Sequence, residues 1–225
     1  MVRKKIVHIA LITLVVVLLY LNTLPNEFIW DDVHFITGEP ATQHFDWKFI
    51  LTNPQIGSYR PIRTFFLTVS YELFGDKPTG YHVQAIFLHA LICVLVYLIA
   101  GIITRNSSAA LAVGLLFAVY PVHTQPIDLA SASFILFGVL FFFCSLYLFL
   151  LYRTKGRLWM LSLSFLVFLL AVFTYEWTVV LPLIIVGYDY LLGKRQMRWA
   201  QYAAYFLIAS LSASVSCRAD SHTQR

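Results

Sequence analysis

A chain of 225 residues that is 60% hydrophobic and only 12% charged has too little polar surface for a water-soluble domain, where those shares are about 45–50% and about 25%. Its net charge of +5 comes from basic residues scattered singly and in short clusters between apolar runs, which is a pattern of membrane orientation and excludes a nucleic-acid partner. Cys93 and Cys144 fall inside apolar runs and Cys217 lies near the end, with no C-x-x-C and no metal-ligand spacing, so neither a disulfide framework nor a metal site is indicated.

Residues 1–5 carry Arg3, Lys4 and Lys5, and an apolar run then extends over 6–24. A secretory signal has a shorter core, about 7–15 residues, and a small-x-small cleavage site; neither is present, so the run is predicted to be a first transmembrane helix with a cytoplasmic N-terminus. It ends in Asn26-Glu27-Phe28-Ile29-Trp30-Asp31-Asp32, two adjacent carboxylates at the membrane boundary. The segment 25–80 is polar and punctuated by Pro and Gly, and it holds seven of the eleven acidic residues, which marks one large extracytoplasmic loop. Within it, Pro61 suits a first helical position and Ile62, Phe66, Val69 and Leu73 recur at helical spacing, predicting a helix over 61–74 that lies on the bilayer.

Six further apolar stretches follow at 82–104, 108–126, 134–152, 158–175, 177–192 and 199–215, each near the length a bilayer requires. Alternating sides from a cytoplasmic start puts Arg105, the cluster Arg153, Lys155 and Arg157, and the cluster Lys194, Arg195 and Arg198 on the same side as Arg3, Lys4 and Lys5. Ten of the sixteen Lys and Arg residues then face the cytoplasm, with no carboxylate in those connections. The positive-inside rule supports this arrangement. The expected fold is therefore an all-α, polytopic helical membrane protein of about seven transmembrane helices, forming one domain over 1–215 with a tail at 216–225. Asn106-Ser107-Ser108 matches a glycosylation sequon but falls on the cytoplasmic side, where it is expected to stay unmodified.

Several side chains carry possible chemistry. Asp31 and Asp32 are consecutive, so they cannot face each other across one proton; one is a candidate general base and the other a candidate for orienting substrate or capping the next segment. The alternative is that both merely stop the helix at the water boundary. Glu176, between Tyr175 and Trp177 and bounded by apolar spans, is a candidate binding residue or a charge at a hairpin turn. Arg60 and Arg63, three apart, are candidates to grip a phosphate, or to contact lipid headgroups. His82 and His89, seven apart, share a helix face, and His123 lies at the outer end of the next span; each is a candidate substrate contact or a polar residue satisfied within the bundle. Asp128 and Asp189 are read as structural.

Taken together, Tyr20-Leu21-Asn22-Thr23-Leu24-Pro25 running into Asn26 to Asp32, then Tyr59-Arg60-Pro61-Ile62-Arg63, Gly80-Tyr81-His82 with Leu88-His89, Pro121-Val122-His123-Thr124 and Tyr188-Asp189 resemble the transmembrane and tetratricopeptide-repeat-containing family of O-mannosyltransferases and its bacterial relatives. The resemblance runs from residue 20 to about 192. It implies a GT-C-type membrane module with its site on the non-cytoplasmic face, in a bacterial inner membrane or the endoplasmic reticulum, and a polyprenyl-phosphate-linked sugar, usually mannose, as donor substrate with no separate cofactor. The implied acceptor is a protein Ser or Thr hydroxyl. By position, Asp31 or Asp32 matches the family's base. The competing expectation is an inactive membrane scaffold or subunit derived from that family.

This chain departs from the family at three places. It has His123-Thr124-Gln125 where relatives commonly show His-Thr-Glu, Ser131-Ala132-Ser133-Phe134-Ile135 in place of an Arg-Ala-Asp type triplet, and Tyr175-Glu176 in place of Lys-Glu. Each replaces a charged group. The final stretch, 212–225, carries no pattern of the family, which is expected if the gene product is truncated or frameshifted.

Overall fold

The computed structural model describes residues 2–52, 59–192 and 198–223. Among them every regular element is helical: α1 (Val2–Tyr20), α2 (Pro40–Gln43), α3 (Trp47–Thr52), α4 (Pro61–Phe74), α5 (Pro78–Thr104), α6 (Ser107–Val119), α7 (Thr124–Asp128), α8 (Ser133–Lys155), α9 (Leu158–Thr174), α10 (Leu181–Leu191) and α11 (Trp199–Thr223), with short 3-10 and π turns between them. Pro54 and Gly57 of the loop, Lys194 and Arg195 of the basic cluster, and residues 224–225 lie outside the described residues.

Among the described residues three helices are long and apolar enough to cross a membrane, over Arg3–Thr23, Pro78–Thr104 and Ala130–Lys155. A fourth crossing is available if Ser107–Val119 and Pro121–Asp128, bent by 49° at their junction, count as one broken span. The sequence pattern ran straight through that bend. Its cause is Pro121, whose ring disfavours helical geometry in the residue before it; Tyr120 is extended at φ −71° and ψ 123°. Of the remaining apolar stretches, α9 has 17 residues, about 25 Å at 1.5 Å per residue. The helix α10 has only 11, because Glu176–Val180 forms a 3-10 turn ahead of it.

The helices pack through small residues. Ala110, Gly114 and Ala118, four apart on α6, are all buried. A side chain at Gly114 would sit 2.9 Å from Ile12 Cδ1 and 3.1 Å from Tyr97 Cβ. Close approach of this kind is how helices associate where lipid offers no hydrophobic driving force. The resulting core gathers Ile12 and Val16 of α1, Ile92, Cys93 and Tyr97 of α5, and Leu136 of α8. A second core joins α8, α9 and α11, where Ser145 donates to the Ser164 carbonyl at 2.8 Å and the Ser164 and Tyr205 hydroxyls meet at 2.6 Å.

The bundle has two distinct ends. At one, the N-terminal turn of α1 meets the α5–α6 connection, with Ser107 Oγ 3.4 Å from His8 Nδ1. Asp189 there is buried against Arg153 at 2.9 Å and accepts the Tyr202 hydroxyl at 2.6 Å, which agrees with its structural reading. Arg153, counted above among the orienting cations, is thus a buried partner. At the other end the α1 exit, the loop before α4, and the starts of α5 and α8 come together; Thr79 Oγ1 donates to the Leu24 carbonyl at 3.2 Å. Asn106, the sequon residue, caps α6 by accepting from the Ser108 and Ala109 N–H groups at 2.9 and 3.1 Å.

Candidate functional site

The site is built on a backbone reversal. Trp30 has φ 46°, a left-handed geometry that costs a bulky residue energy, and its ring is 87% exposed. The reversal sends the two following carboxylates to different environments. Asp31 is exposed. Asp32 is fully buried and accepts three backbone N–H groups: Ser131 at 2.7 Å, and Ala130 and Ile29 each at 3.3 Å. Asp32 therefore pins the loop after α1 onto the turn that starts α8. Asp32 does not cap the segment that follows it, since its carboxylate makes no bond to the Val33–Thr37 turn; it holds amides 98 and 99 residues away instead.

That turn also presents Phe134, on which both arginines converge. Arg63 lies over the Phe134 ring at 5.3 Å and over Phe35 at 5.3 Å, while Arg60 lies over Phe134 at 5.4 Å. Stacking of this kind suits guanidinium, which is planar and weakly hydrated. The two reach the ring from different backbone: Arg60 precedes α4 with φ −131° and ψ 69°, and Arg63 is inside it. The buried face of α4 is the polar one, carrying Arg63, Thr64, Thr68 and Ser70 together with Leu67, whereas Leu73 of the apolar row is 69% exposed. Burial, then the neighbouring Arg60 charge, lowers Arg63 to about 10, with Glu176 opposing. It remains a cation at neutral pH.

Glu176 forms an ion pair and hydrogen bond with Arg60. The pair is partly exposed, 18% for the arginine side chain and 47% for the glutamate. Sequence reasoning chose both residues but not their pairing, across 116 positions. It missed Phe134 as a platform for the two guanidinium groups.

The histidines form an adjoining group. His82 is buried with Nδ1 3.2 Å from the Ile127 carbonyl. His89 is buried with Nε2 3.5 Å from the Ala118 carbonyl, and its ring centre is 5.0 Å from that of His123. His123 packs on Phe117 at 4.3 Å. Among the described residues no three His, Cys, Asp or Glu side chains are placed to hold a metal ion. A cavity of about 270 Å³ links His123 to the Glu176 turn, walled by Phe142, Phe143, Tyr175 and Trp177. The end of the bundle thus combines an exposed carboxylate, two stacked guanidinium groups and an aromatic slot. This is a constellation suited to deprotonating a hydroxyl beside a phosphate.

Fold and site together define a helical chain of membrane type with an acid and arginine cluster at one bundle end. No family model matches the sequence, and no solved structure matches it. The sequence is similar to curated proteins named protein O-mannosyl-transferases of the TMTC type. It is 33% identical to Protein O-mannosyl-transferase Tmtc1 of Drosophila melanogaster over 131 residues, covering 50% of this chain and 15% of the relative. It is 31% identical to human TMTC3 over 161 residues, covering 66% and 17%, and 30% identical to tmtc2 of Xenopus laevis over 141 residues, covering 55% and 17%. The chain accordingly spans less than a fifth of the length of these relatives, at 15% to 17%.

Proposed function

We propose that the chain is the membrane module of a glycosyltransferase that moves mannose from a polyprenyl-phosphate donor to a protein Ser or Thr hydroxyl. Asp31 acts as the base: it takes the hydroxyl proton as the acceptor oxygen bonds to the anomeric carbon of the sugar. The bond from that carbon to the phosphate oxygen breaks, and polyprenyl phosphate leaves with the electron pair. Arg63 and Arg60 stabilise the leaving phosphate from the Phe134 platform, Glu176 orients Arg60, and Asp32 positions Asp31. In this reading His123 lines the donor slot with His89 packed against it, and His82 supports the adjoining turn through the Ile127 carbonyl. The module is of GT-C type, crosses the membrane about seven times from a cytoplasmic N-terminus, and works on the non-cytoplasmic face.

The observation that supports the proposal is the seating of Asp32, the chain neighbour of the exposed Asp31, on the Ala130 and Ser131 amides, a few residues before Phe134, over which both arginines lie. The test is transfer from labelled polyprenyl-phosphate mannose to a Ser/Thr peptide by the unaltered chain, Asp31→Asn and Asp32→Asn. Asp31→Asn should lose about 10²–10⁴-fold in rate, the share of a general base. Undiminished transfer by Asp31→Asn in an active protein would refute the assignment. A second reading, an inactive scaffold, is favoured by the engagement of Arg60 with Glu176, and it requires that the unaltered chain transfer nothing.

A further inference from the structure

At the end of the bundle opposite Asp31, a cavity of about 620 Å³ opens between α1, α5, α6 and α8. Lys4 and Lys5 of α1, Arg105 between α5 and α6, and Lys155 at the end of α8 all line it. Four cations from three separate places in the chain repel one another around a single hollow. Neither ion pair among the described residues, Arg60 with Glu176 or Arg153 with Asp189, involves any of the four, and no carboxylate lines the cavity. All four side chains are exposed.

Arg105 adds a second observation. Its φ is 54°, the left-handed geometry that closes α5 through its N–H to the Gly101 carbonyl at 3.2 Å. The corresponding position after α8 is Gly156, with φ 71°. Glycine takes that geometry freely and arginine does not, so the cation stands at a backbone position that favours glycine. The start of α6 also faces the hollow through Asn106 and Ser107. Its positive helix end contributes field rather than donors, since Asn106 already accepts the Ser108 and Ala109 N–H groups. Deeper in, the lining turns apolar with Leu98, Ile102 and Leu151.

A ring of cations over an apolar floor, between helices of membrane-crossing length, fits an anionic headgroup attached to acyl chains. We propose that this cavity is a binding site for an anionic phospholipid, its phosphate held by Lys4, Lys5, Arg105 and Lys155 and its chains running along the Leu98 and Leu151 side. The site is separate from the proposed transfer chemistry and stands whether or not that chemistry occurs.

Native mass spectrometry of the full chain in uncharged detergent, with phosphatidylglycerol and phosphatidylcholine of matched chains, tests this directly. The unaltered protein should retain phosphatidylglycerol in preference, and Lys155→Gln should weaken that retention about fivefold, the contribution of one cation near a lipid surface. Arg157→Gln, two residues on, exposed and outside the lining, should leave it unchanged. Equal retention of the two lipids, or an equal loss from Arg157→Gln, would overturn the site. So would displacement of the lipid by inorganic phosphate at matched concentration, because the headgroup chemistry would then suffice without chains. The same preference, followed in the unaltered chain alone, should fall as salt is raised; a preference indifferent to salt would contradict the cationic ring.

Discussion

Truncating Asp32 is the sharpest probe of how the site is held. Its carboxylate is fully buried and satisfies three backbone N–H groups, at 2.7, 3.3 and 3.3 Å. Hydrogen bonds to a charged group contribute roughly 1.5–3 kcal/mol each. Two of these are long, so the low end of that range applies and Asp32→Ala should cost about 4 kcal/mol. That corresponds to roughly 10 °C of thermal midpoint for a chain of this size. Asp32→Asn keeps one acceptor oxygen, saving either the Ser131 bond or the pair made by the other oxygen, and should cost about half as much. Asp31→Ala removes an exposed group and should stay within about 0.5 kcal/mol. Thermal unfolding in detergent gives the global effect, and hydrogen exchange at the Ala130 and Ser131 amides gives the local one. Equal stability losses from Asp31→Ala and Asp32→Ala, or unaltered protection at those two amides in Asp32→Ala, would refute the assignment of Asp32 as the clasp.

Four further outcomes are expected. A side chain at Gly138 would come 2.6 Å from Tyr175 Cβ, so Gly138→Ala should destabilise by about 1–3 kcal/mol and displace the Glu176 turn; thermal unfolding reads the first and the transfer assay the second. Asp189→Ala strands Arg153, which is 5% exposed, and should cost about 3–5 kcal/mol; the pair is in contact at 2.9 Å but not aligned as a hydrogen bond, so replacing both residues by apolar ones should cost less in the same unfolding assay. Glu176→Gln breaks a partly exposed pair and should change stability by no more than about 1 kcal/mol while lowering transfer through the loss of Arg60 orientation. Because burial brings Arg63 down to about 10, its positive charge, present below that pH, is lost as pH rises through it. Polyprenyl-phosphate binding measured against pH should therefore weaken from about 10 upward, and in Arg63→Gln that step should be absent.

Much of the bundle was legible because its signals are local. The apolar runs that became α1, α5 and α8 are set by composition and length, and Pro61 marks a helix start where the backbone N–H has no partner to lose; Pro78, read as part of the loop over 25–80, in fact opens α5 four residues before the expected start at 82. The break at Tyr120 was also written locally, in Pro121, but a continuous apolar count overrides a single proline unless its effect on the preceding residue is weighed. The carboxylate pair was found at the membrane boundary, yet which member is buried could not be read. That depends on amides 98 and 99 residues away, and backbone amides carry no residue signature. The same holds for Arg60 and Glu176: each is visible alone, and only the packing of α4 against α9 makes them meet. The basic residues were read as orienting charges, a role that needs no geometry; that four of them ring one hollow depends on how helix ends cluster.

For sugar transfer as proposed, Asp31 and the arginine platform must face away from the compartment that holds Lys4, Lys5 and Arg105. In sealed vesicles of known orientation, a chain with Cys93, Cys144 and Cys217 replaced by serine and a single cysteine at position 31 or 105 would be exposed to a membrane-impermeant thiol reagent. The account requires Asp31→Cys to label only from the non-cytoplasmic side and Arg105→Cys only from the cytoplasmic side. Labelling of both positions from the same side would contradict it.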